Sequence, residues 1–110
     1  MPRHNLGELE QLVLLALLRL DGDSYGAAIR AEILETTGRS VTPGAIYPTL
    51  DRLESRGLLR SAVGEPQPHR GGRARREFRV TADGLREVRR AWRQTSALAT
   101  KIAALKTDKS

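Results

Sequence analysis

A segment near the middle of the chain is rich in arginine and has the residue types that bind phosphate. Residues 64–75 read GEPQPHRGGRAR and contain Arg70, Arg73 and Arg75 between glycines and prolines. The guanidinium of arginine presents a fork of donors that matches phosphate oxygens, and glycine lets a loop follow a surface. A solvated loop without a binding role has the same composition, so the segment alone leaves both interpretations open.

A second candidate lies upstream, where residues 42–53 read TPGAIYPTLDRL. Ile46, Leu50 and Leu53 recur at i, i+4 and i+7, which predicts a helix with one apolar stripe. Thr42 is a good N-cap, and proline suits the first helical position after it.

The other side of this helix carries Tyr47 and Pro48. A proline inside a helix costs about 3 kcal/mol, so its presence needs a structural or functional reason. Tyr47 projects about 100° away from the apolar stripe, where its phenol could bond a DNA phosphate. Tyr25, which opens the preceding helix, and Arg52, late in this one, are further DNA-binding candidates. Packing in the core is the alternative for both tyrosines.

Residues able to catalyse a reaction or hold a metal are sparse. The chain has no cysteine and only two histidines, His4 and His69, both in polar segments. It has no HExxH motif, no glycine-rich phosphate loop followed by lysine, and no paired-carboxylate pattern. The sequence therefore predicts a protein that is not an enzyme and that uses no metal and no cofactor.

The net charge of +6 on 110 residues is unevenly distributed. Residues 1–55 have five basic and eight acidic side chains, whereas residues 56–80 have seven and two. A basic middle behind an acidic front half favours a polyanion-binding element. The longest apolar run, Leu12–Leu18, is too short to span a bilayer, so we expect no membrane partner. The lack of cysteine fits the cytoplasm.

The pattern predicts which elements position these residues. Three helices come first, then two strands around the arginine-rich loop, and then a long helix. Asp23 or Ser24 should cap the second helix, and Thr81 the last. Residues 39–41 should be extended. The predicted bounds are 7–20, 25–37 and 43–56 for the first helices, 58–63 and 76–80 for the strands, and 82–106 for the last helix.

The second and third helices form a helix-turn-helix, and a β-hairpin directly after it makes a winged helix. The predicted fold class is mainly α with a small β-hairpin. Residues 1–80 should form a winged-helix DNA-binding domain with its wing at 58–80, and residues 81–110 a C-terminal dimerisation helix and tail. A wing lies along the DNA backbone or minor groove. This position favours DNA contact by the three arginines of the loop.

Two helices carry apolar surface that one small domain cannot cover. The first is apolar on all sides from Leu12 onwards, which indicates burial on more than one side, and Leu12 and Leu15 are candidate dimer contacts. The last, roughly 35 Å long at 1.5 Å per residue, repeats apolar positions as a heptad seam. The seam residues are Leu85, Val88, Trp92, Thr95, Ala99 and Ile102. Both features predict a homodimer.

Trp92 is the only tryptophan and lies in the middle of the seam. Large aromatic side chains dominate interface burial, so packing between helices is the favoured interpretation. A stacking platform for a flat aromatic or drug-like effector between two subunits is the alternative that the sequence leaves open.

Three stretches together resemble the PadR family of bacterial winged-helix transcriptional regulators. They read YGAAIRAEI at 25–33, VTPGAIYPTLDRLESRGLL at 41–59 and RREFRVTADG at 75–84. The resemblance covers about residues 6–105, and the single C-terminal helix is similar to the short PadR subfamily. It implies a homodimeric repressor, built on the first and last helices, that binds an inverted repeat with ATGT and ACAT half-sites and is often released by a small-molecule effector.

The resemblance also places the Tyr-Pro pair on the recognition helix, which enters the major groove. The residues that it assigns to the DNA-facing surface are Gly44, Ala45, Tyr47, Pro48 and Thr49. Thr42, at the same end of the helix, is expected to face the groove as well. The alternative function is a winged-helix protein-interaction module whose basic wing docks an acidic partner. Such a module has no need for an exposed Gly44, Tyr47 and Pro48 surface.

Overall fold

The computed structural model describes residues 5–66 and 74–106. Within these ranges the elements follow in the order α1 (Glu8–Leu20), β1 (Ser24–Tyr25), α2 (Gly26–Thr37), α3 (Pro43–Ser55), β2 (Leu59–Pro66), β3 (Ala74–Val80) and α4 (Ala82–Ala99). A short 3-10 helix, Ala103–Lys106, follows α4. This mainly helical chain with a small antiparallel sheet confirms the predicted fold class.

The local signals predicted at the starts of α3 and α4 and at the ends of α2 and α3 are confirmed. The Thr42 Oγ1 accepts the N–H of Ala45 at 3.2 Å, and the Thr81 Oγ1 accepts the N–H three residues further on at 3.0 Å. Gly38 (φ 79°) caps the end of α2 and Gly57 (φ 78°) follows α3, because a left-handed backbone favours glycine. The first three helices agree with their predicted bounds to within one residue.

The sheet contains one strand, β1, that was not predicted from the sequence. The strand β3 lies between β1 and β2, and both neighbours are antiparallel to it. Ser24 pairs with Phe78 and Tyr25 with Glu77. The extended segment predicted at 39–41 lies outside the sheet. A strand of two residues is too short to show alternation, so only its partner β3 defines it.

The start of α2 differs from the prediction because Ser24 and Tyr25, directly before it, form the strand β1. Its N-cap is Tyr25, which makes no side-chain cap bond, so the predicted cap at Asp23 or Ser24 is wrong. Ser24 and Tyr25 are held in the sheet, and the Asp23 carboxylate accepts a bond from Arg79 at 2.7 Å instead.

The last helix is shorter than predicted. It ends at Ala99 instead of near residue 106, because Thr100 is extended and Lys101 has a φ of 71°. A left-handed residue cannot continue a right-handed helix. The helix is therefore about 27 Å long, where the prediction was about 35 Å, and Ile102 lies beyond it.

One apolar core lies between the sheet and the helices. Phe78 of the central strand is fully buried, and so is the α3 stripe of Ile46, Leu50 and Leu53. Val88 is also buried in this core, so the first half of α4 packs against the same core as the other helices.

The first turn of α4 is joined closely to the end of α3. The Thr81 N–H donates to the Leu58 carbonyl at 3.1 Å, and the Thr81 hydroxyl donates to the Gly57 carbonyl at 2.7 Å. A Cβ atom at Gly84 would lie 2.2 Å from the Leu58 carbonyl oxygen. Only glycine permits this approach, and we call this contact the α4 joint.

Candidate nucleic-acid interface

The helix α3 has one buried side and one exposed side. The residues on its exposed side, together with the N-cap, are Thr42, Gly44, Ala45, Tyr47, Pro48, Asp51 and Arg52. The helix runs through Pro48 without a break, and the ring of this proline lies at the surface. The exposed side therefore presents small residues, a phenol and a rigid proline, with charged residues only in its second half.

Thr49 does not lie on the exposed side, so its assignment to the DNA-facing surface is wrong. It is only 1% exposed. Its hydroxyl donates to the Ala45 carbonyl at 2.9 Å and accepts from Arg52 at 3.1 Å. The physical reason is helical periodicity: Thr49 is three residues after Ile46 and falls on the same buried side.

Tyr47 is held against the start of α2. Its side chain remains 42% exposed, but a Cβ atom at Gly26 would lie 2.6 Å from its phenol oxygen and 2.7 Å from its Cζ. The absence of a side chain at Gly26 therefore makes room for the ring. Nothing in the sequence marks Gly26 as a positioning residue except its place directly after Tyr25.

Arg75 and Tyr25, both predicted to contact DNA, lie together in the structure. The Arg75 Cζ is 3.8 Å from the centroid of the Tyr25 ring, a cation–π distance. The pairing of Tyr25 with Glu77 places Arg75 diagonally across the sheet, on the same face. Among the described residues, the Arg75 Nε has no hydrogen-bond partner. We call the continuous set Tyr47, Gly26, Tyr25 and Arg75 the tyrosine row.

The other two arginines predicted for the wing, Arg70 and Arg73, lie outside the described residues. The strands β2 and β3, which lead to and from that segment, are described and form the base of the hairpin.

Arg76, next to Arg75, points to the opposite face of the sheet and binds α3. Its Nη1 lies 3.1 Å from Asp51, its Nη2 lies 2.5 Å from Glu54, and its Nε donates to the Ser61 hydroxyl at 3.2 Å. The Ser61 hydroxyl in turn donates to Glu54 at 2.7 Å. We call these four residues the Arg76 cluster. It connects α3, β2 and β3, and nothing in the sequence analysis identified it.

The protonation of this cluster follows its contacts. Hydrogen bonds from Ser61 and then Arg76 lower the pKa of Glu54, although desolvation acts in the opposite direction. Desolvation acts to lower the pKa of Arg76, but the bonds to Glu54 and Asp51 outweigh it and raise the pKa. Glu54 and Arg76 are therefore both charged at neutral pH.

Arg52, another predicted DNA contact, lies between α3 and α1. Its Nε is 3.7 Å from Glu10, whose carboxylate also accepts from Arg56 at 3.3 Å and from the Gly7 N–H at 2.7 Å. The Arg52 side chain is still 60% exposed. It can therefore reach a phosphate only by sharing or leaving Glu10.

The predicted dimer residues divide into two groups. Val88 is only 2% exposed and belongs to the core of its own chain, so it does not lie on a free seam, and the prediction for this residue is wrong. Leu85 (37%), Trp92 (61%) and Ile102 (43%) are exposed, whereas Ala99 is partly buried. Ile102 follows the end of α4, so the exposed residues do not form one uninterrupted heptad seam.

An apolar groove of about 390 Å³ lies between α1 and α2. Its lining includes Leu12, Leu15, Ala16, Leu18, Ile33 and Thr36. Leu15 and Leu18 are each 38% exposed, while Leu12 is partly buried against the core. The ion pair between Arg19 and Glu32, at 2.7 Å, forms part of its edge.

In residues 5–66 and 74–106, no group of three His, Cys, Asp or Glu side chains could hold a metal ion. No helix in the described part of the chain is both long enough and apolar enough to cross a membrane.

A helix-turn-helix followed by a β-hairpin, with an exposed polar side on its second helix, defines a winged-helix DNA-binding regulator. The model of the transcriptional regulator PadR-like family matches residues 14–90. The chain therefore belongs to the PadR-like family of transcriptional regulators, a family that is not enzymatic.

Known relatives agree with this assignment. Transcriptional regulator Rv3488 of Mycobacterium tuberculosis is 46% identical over 74 residues, which are 64% of this chain and 64% of that protein. The match thus spans slightly less than two thirds of that relative. A PadR family regulator from Eggerthella lenta is 32% identical with a TM-score of 0.69, and covers 93% of this chain and 88% of its own. A transcriptional regulator from Clostridium thermocellum is 25% identical with a TM-score of 0.70, and the match covers 92% of this chain and 93% of that one.

Proposed function

We propose that the protein is a homodimeric transcriptional repressor that binds an inverted-repeat operator with α3 in the major groove. The observation that carries the proposal is the tyrosine row, which continues from the exposed side of α3 to the base of the wing. A protein-docking module would have no need for small residues, a phenol and a cation on one continuous surface beside a helix-turn-helix.

The proposal divides the surface into two roles. Thr42, Gly44, Ala45, Tyr47 and Pro48 approach the bases, because small residues allow close contact and the proline ring can touch a thymine methyl. Arg75, together with Arg70 and Arg73, neutralises phosphates along the wing. Tyr25 lies between the two sets and orients Arg75 by stacking.

The dimer in this proposal covers the apolar surfaces that one protomer leaves exposed. Leu15 and Leu18 in the α1–α2 groove, and Leu85 and Trp92 on α4, are large apolar side chains without a covering element in the described chain. A contiguous exposed apolar patch is typical of a protein interface. A two-fold dimer would place two α3 helices about one DNA turn, ~34 Å, apart.

Release of the operator by a small molecule is the remaining part of the proposal. Trp92 packs between the two subunits in the free dimer. A flat aromatic effector would act only if it displaced that packing and stacked on the indole. Quenching of tryptophan fluorescence by planar aromatic compounds tests this, because the chain contains a single tryptophan.

The experiment that tests the function is a footprint on the DNA upstream of the protein's own gene, followed by binding to that operator and to random DNA. Tyr47→Ala and Pro48→Ala should each reduce the preference for operator by a factor that corresponds to about 1–3 kcal/mol. Binding to random DNA should be nearly unchanged. Wild-type protein that showed neither a footprint nor salt-dependent DNA binding would favour the protein-docking alternative.

A further inference from the structure

The Arg76 cluster brings together two acidic residues of the recognition helix and the paired strands β2 and β3 at the base of the wing. One guanidinium uses all three of its nitrogen positions: two contact the carboxylates of Asp51 and Glu54, and one contacts the Ser61 hydroxyl. Only arginine has a fork that can make these three contacts at once. The cluster thus contains one cation and two anions, with contacts to α3, β2 and β3.

The position of Asp51 makes this arrangement important for DNA binding. Asp51 lies four residues after Tyr47 and three after Pro48, so all three share one side of α3. Its side chain is 60% exposed. An uncompensated carboxylate beside the groove-facing residues would repel the phosphate backbone, which carries one negative charge per about 1.7 Å of duplex.

The neighbouring arginine, Arg75, lies on the other face of the strand from the cluster. Side chains alternate between the two faces of a strand. Arg75 and Arg76 therefore project to opposite faces of β3: Arg76 contacts α3, and Arg75 stacks on Tyr25. Exposed ion pairs contribute little to the free energy of folding, and the Arg76 side chain is 44% exposed, so a role in stability alone does not account for so complete a set of contacts.

We propose that Arg76 is a positioning residue for DNA binding that touches no DNA itself: it neutralises the carboxylates of Asp51 and Glu54 on the recognition helix and joins the wing base to that helix. This inference rests on the proposed function, because it concerns the same DNA-binding surface. It predicts that the loss of Arg76 is harmful mainly because the two acids remain.

The test compares Arg76→Gln with a variant in which the whole cluster is neutral, Asp51→Asn/Glu54→Gln/Arg76→Gln. The single variant should bind both operator and random DNA about tenfold more weakly at low salt, since the carboxylates of Asp51 and Glu54 would lose the cation that offsets their repulsion of the phosphates. The neutral variant should recover wild-type affinity or exceed it. Rescue by removal of the acids is a result that a purely structural role of Arg76 would not produce.

Arg79→Gln is the matched control. It removes the same charge from the same strand and also breaks an ion pair, the one between Arg79 and Asp23. Its effect on DNA affinity should be less than about twofold, because Arg79 pairs with Asp23 and its loss leaves the carboxylates of Asp51 and Glu54 neutralised by Arg76. If Arg76→Gln does not fold, as judged by circular dichroism, Arg76→Lys provides the comparison. It keeps the charge but not the fork, and should retain most of the affinity.

The outcomes separate the explanations. Wild-type affinity for Arg76→Gln, or an equal loss in the Arg79 control, would overturn the inference and leave the proposed function intact. A neutral variant that stayed weak, with a log K against log[salt] slope reduced by about 0.9 per protomer, would mean that Arg76 contacts a phosphate directly, and would also overturn it. Wild-type protein without DNA binding would overturn the proposed function and this inference together.

Discussion

The tyrosine row and the apolar surfaces of α1 and α4 are formed in opposite ways. The tyrosine row is held by contacts within one chain: Tyr47 lies against Gly26, and Arg75 stacks on Tyr25. Trp92, by contrast, is 61% exposed and depends on a second chain for burial in the proposed dimer. A surface for a rigid ligand such as a DNA groove can be completed within the protomer, whereas a self-association surface remains incomplete until it pairs.

If this contrast holds, variants on the two surfaces should have separable effects. The largest should be Trp92→Ala, which should weaken the dimer by roughly 3–5 kcal/mol, the range for removal of a buried aromatic side chain. The fold of each protomer should be unaffected, because the protomer alone leaves Trp92 exposed. Sedimentation equilibrium measures the dimer constant, and circular dichroism the fold.

Val63→Ala is the control for Trp92→Ala, because Val63 is also exposed, at 73%, but lies on the wing strand β2. It should leave the dimer constant unchanged. A Trp92→Ala dimer as tight as that of the wild type, in a protein whose fluorescence no planar aromatic compound quenches, would contradict both roles considered for this residue.

Gly26→Ala should have the next largest effect, and on the other surface. The new Cβ atom would meet the outer end of the Tyr47 ring, which can swing towards solvent, so stability should change little. The displaced phenol should cost operator preference by about 1–3 kcal/mol, the size of one lost contact, while the dimer constant stays the same.

The same substitution in a Tyr47→Ala background provides the control, since two mutations that act through one side chain are not additive. Gly26→Ala should have no further effect on operator preference there. Additive losses would show that Gly26 acts on DNA binding by a route other than Tyr47.

The smallest effect is expected for Arg75→Ala. If Arg75 contacts one phosphate, the log K against log[salt] slope should become less steep by about 0.9 for each protomer, on operator and random DNA alike. The operator preference should not change. Arg60→Ala removes an exposed charge from the base of the hairpin and should leave the slope unaltered; equal slopes for the two variants would remove Arg75 from the phosphate contacts.

Features that depend on neighbours in the sequence were predictable. The apolar stripe, the threonine caps and the glycine stops are local signals, and they gave the bounds of α3 to within one residue. Features that depend on pairing were not predictable in the same way. The strand β1 is a strand only because β3 lies beside it. The helix α4 ends at Ala99, before an extended Thr100 and a left-handed Lys101, and the sequence has no proline or glycine there to indicate the end.

Adjacent or nearby residues of the same type were the hardest to assign from sequence. Arg75 and Arg76 look alike in a basic segment, but Arg76 lies two residues before the buried Phe78 and therefore faces inward. Alternation along the strand contains this information. The family resemblance assigns Thr49 to the DNA-facing surface. Its spacing of three residues from Ile46, however, places it on the buried side of α3. Val88 belongs to the apolar repeat of α4, but the first half of α4 packs against the core of its own chain, so Val88 is buried there.

The α4 joint sets the geometry of any assembly built on this chain. The first turn of α4 is bonded to the residues that follow α3, and there is no room for a Cβ atom at Gly84, so this contact sets the angle between the two helices. Because α4 is about 27 Å long, a change of about 2° in this angle displaces the far end of α4 by about 1 Å. In the proposed dimer, if the subunits are held together at that far end, the angle at the α4 joint sets the distance between the two α3 helices.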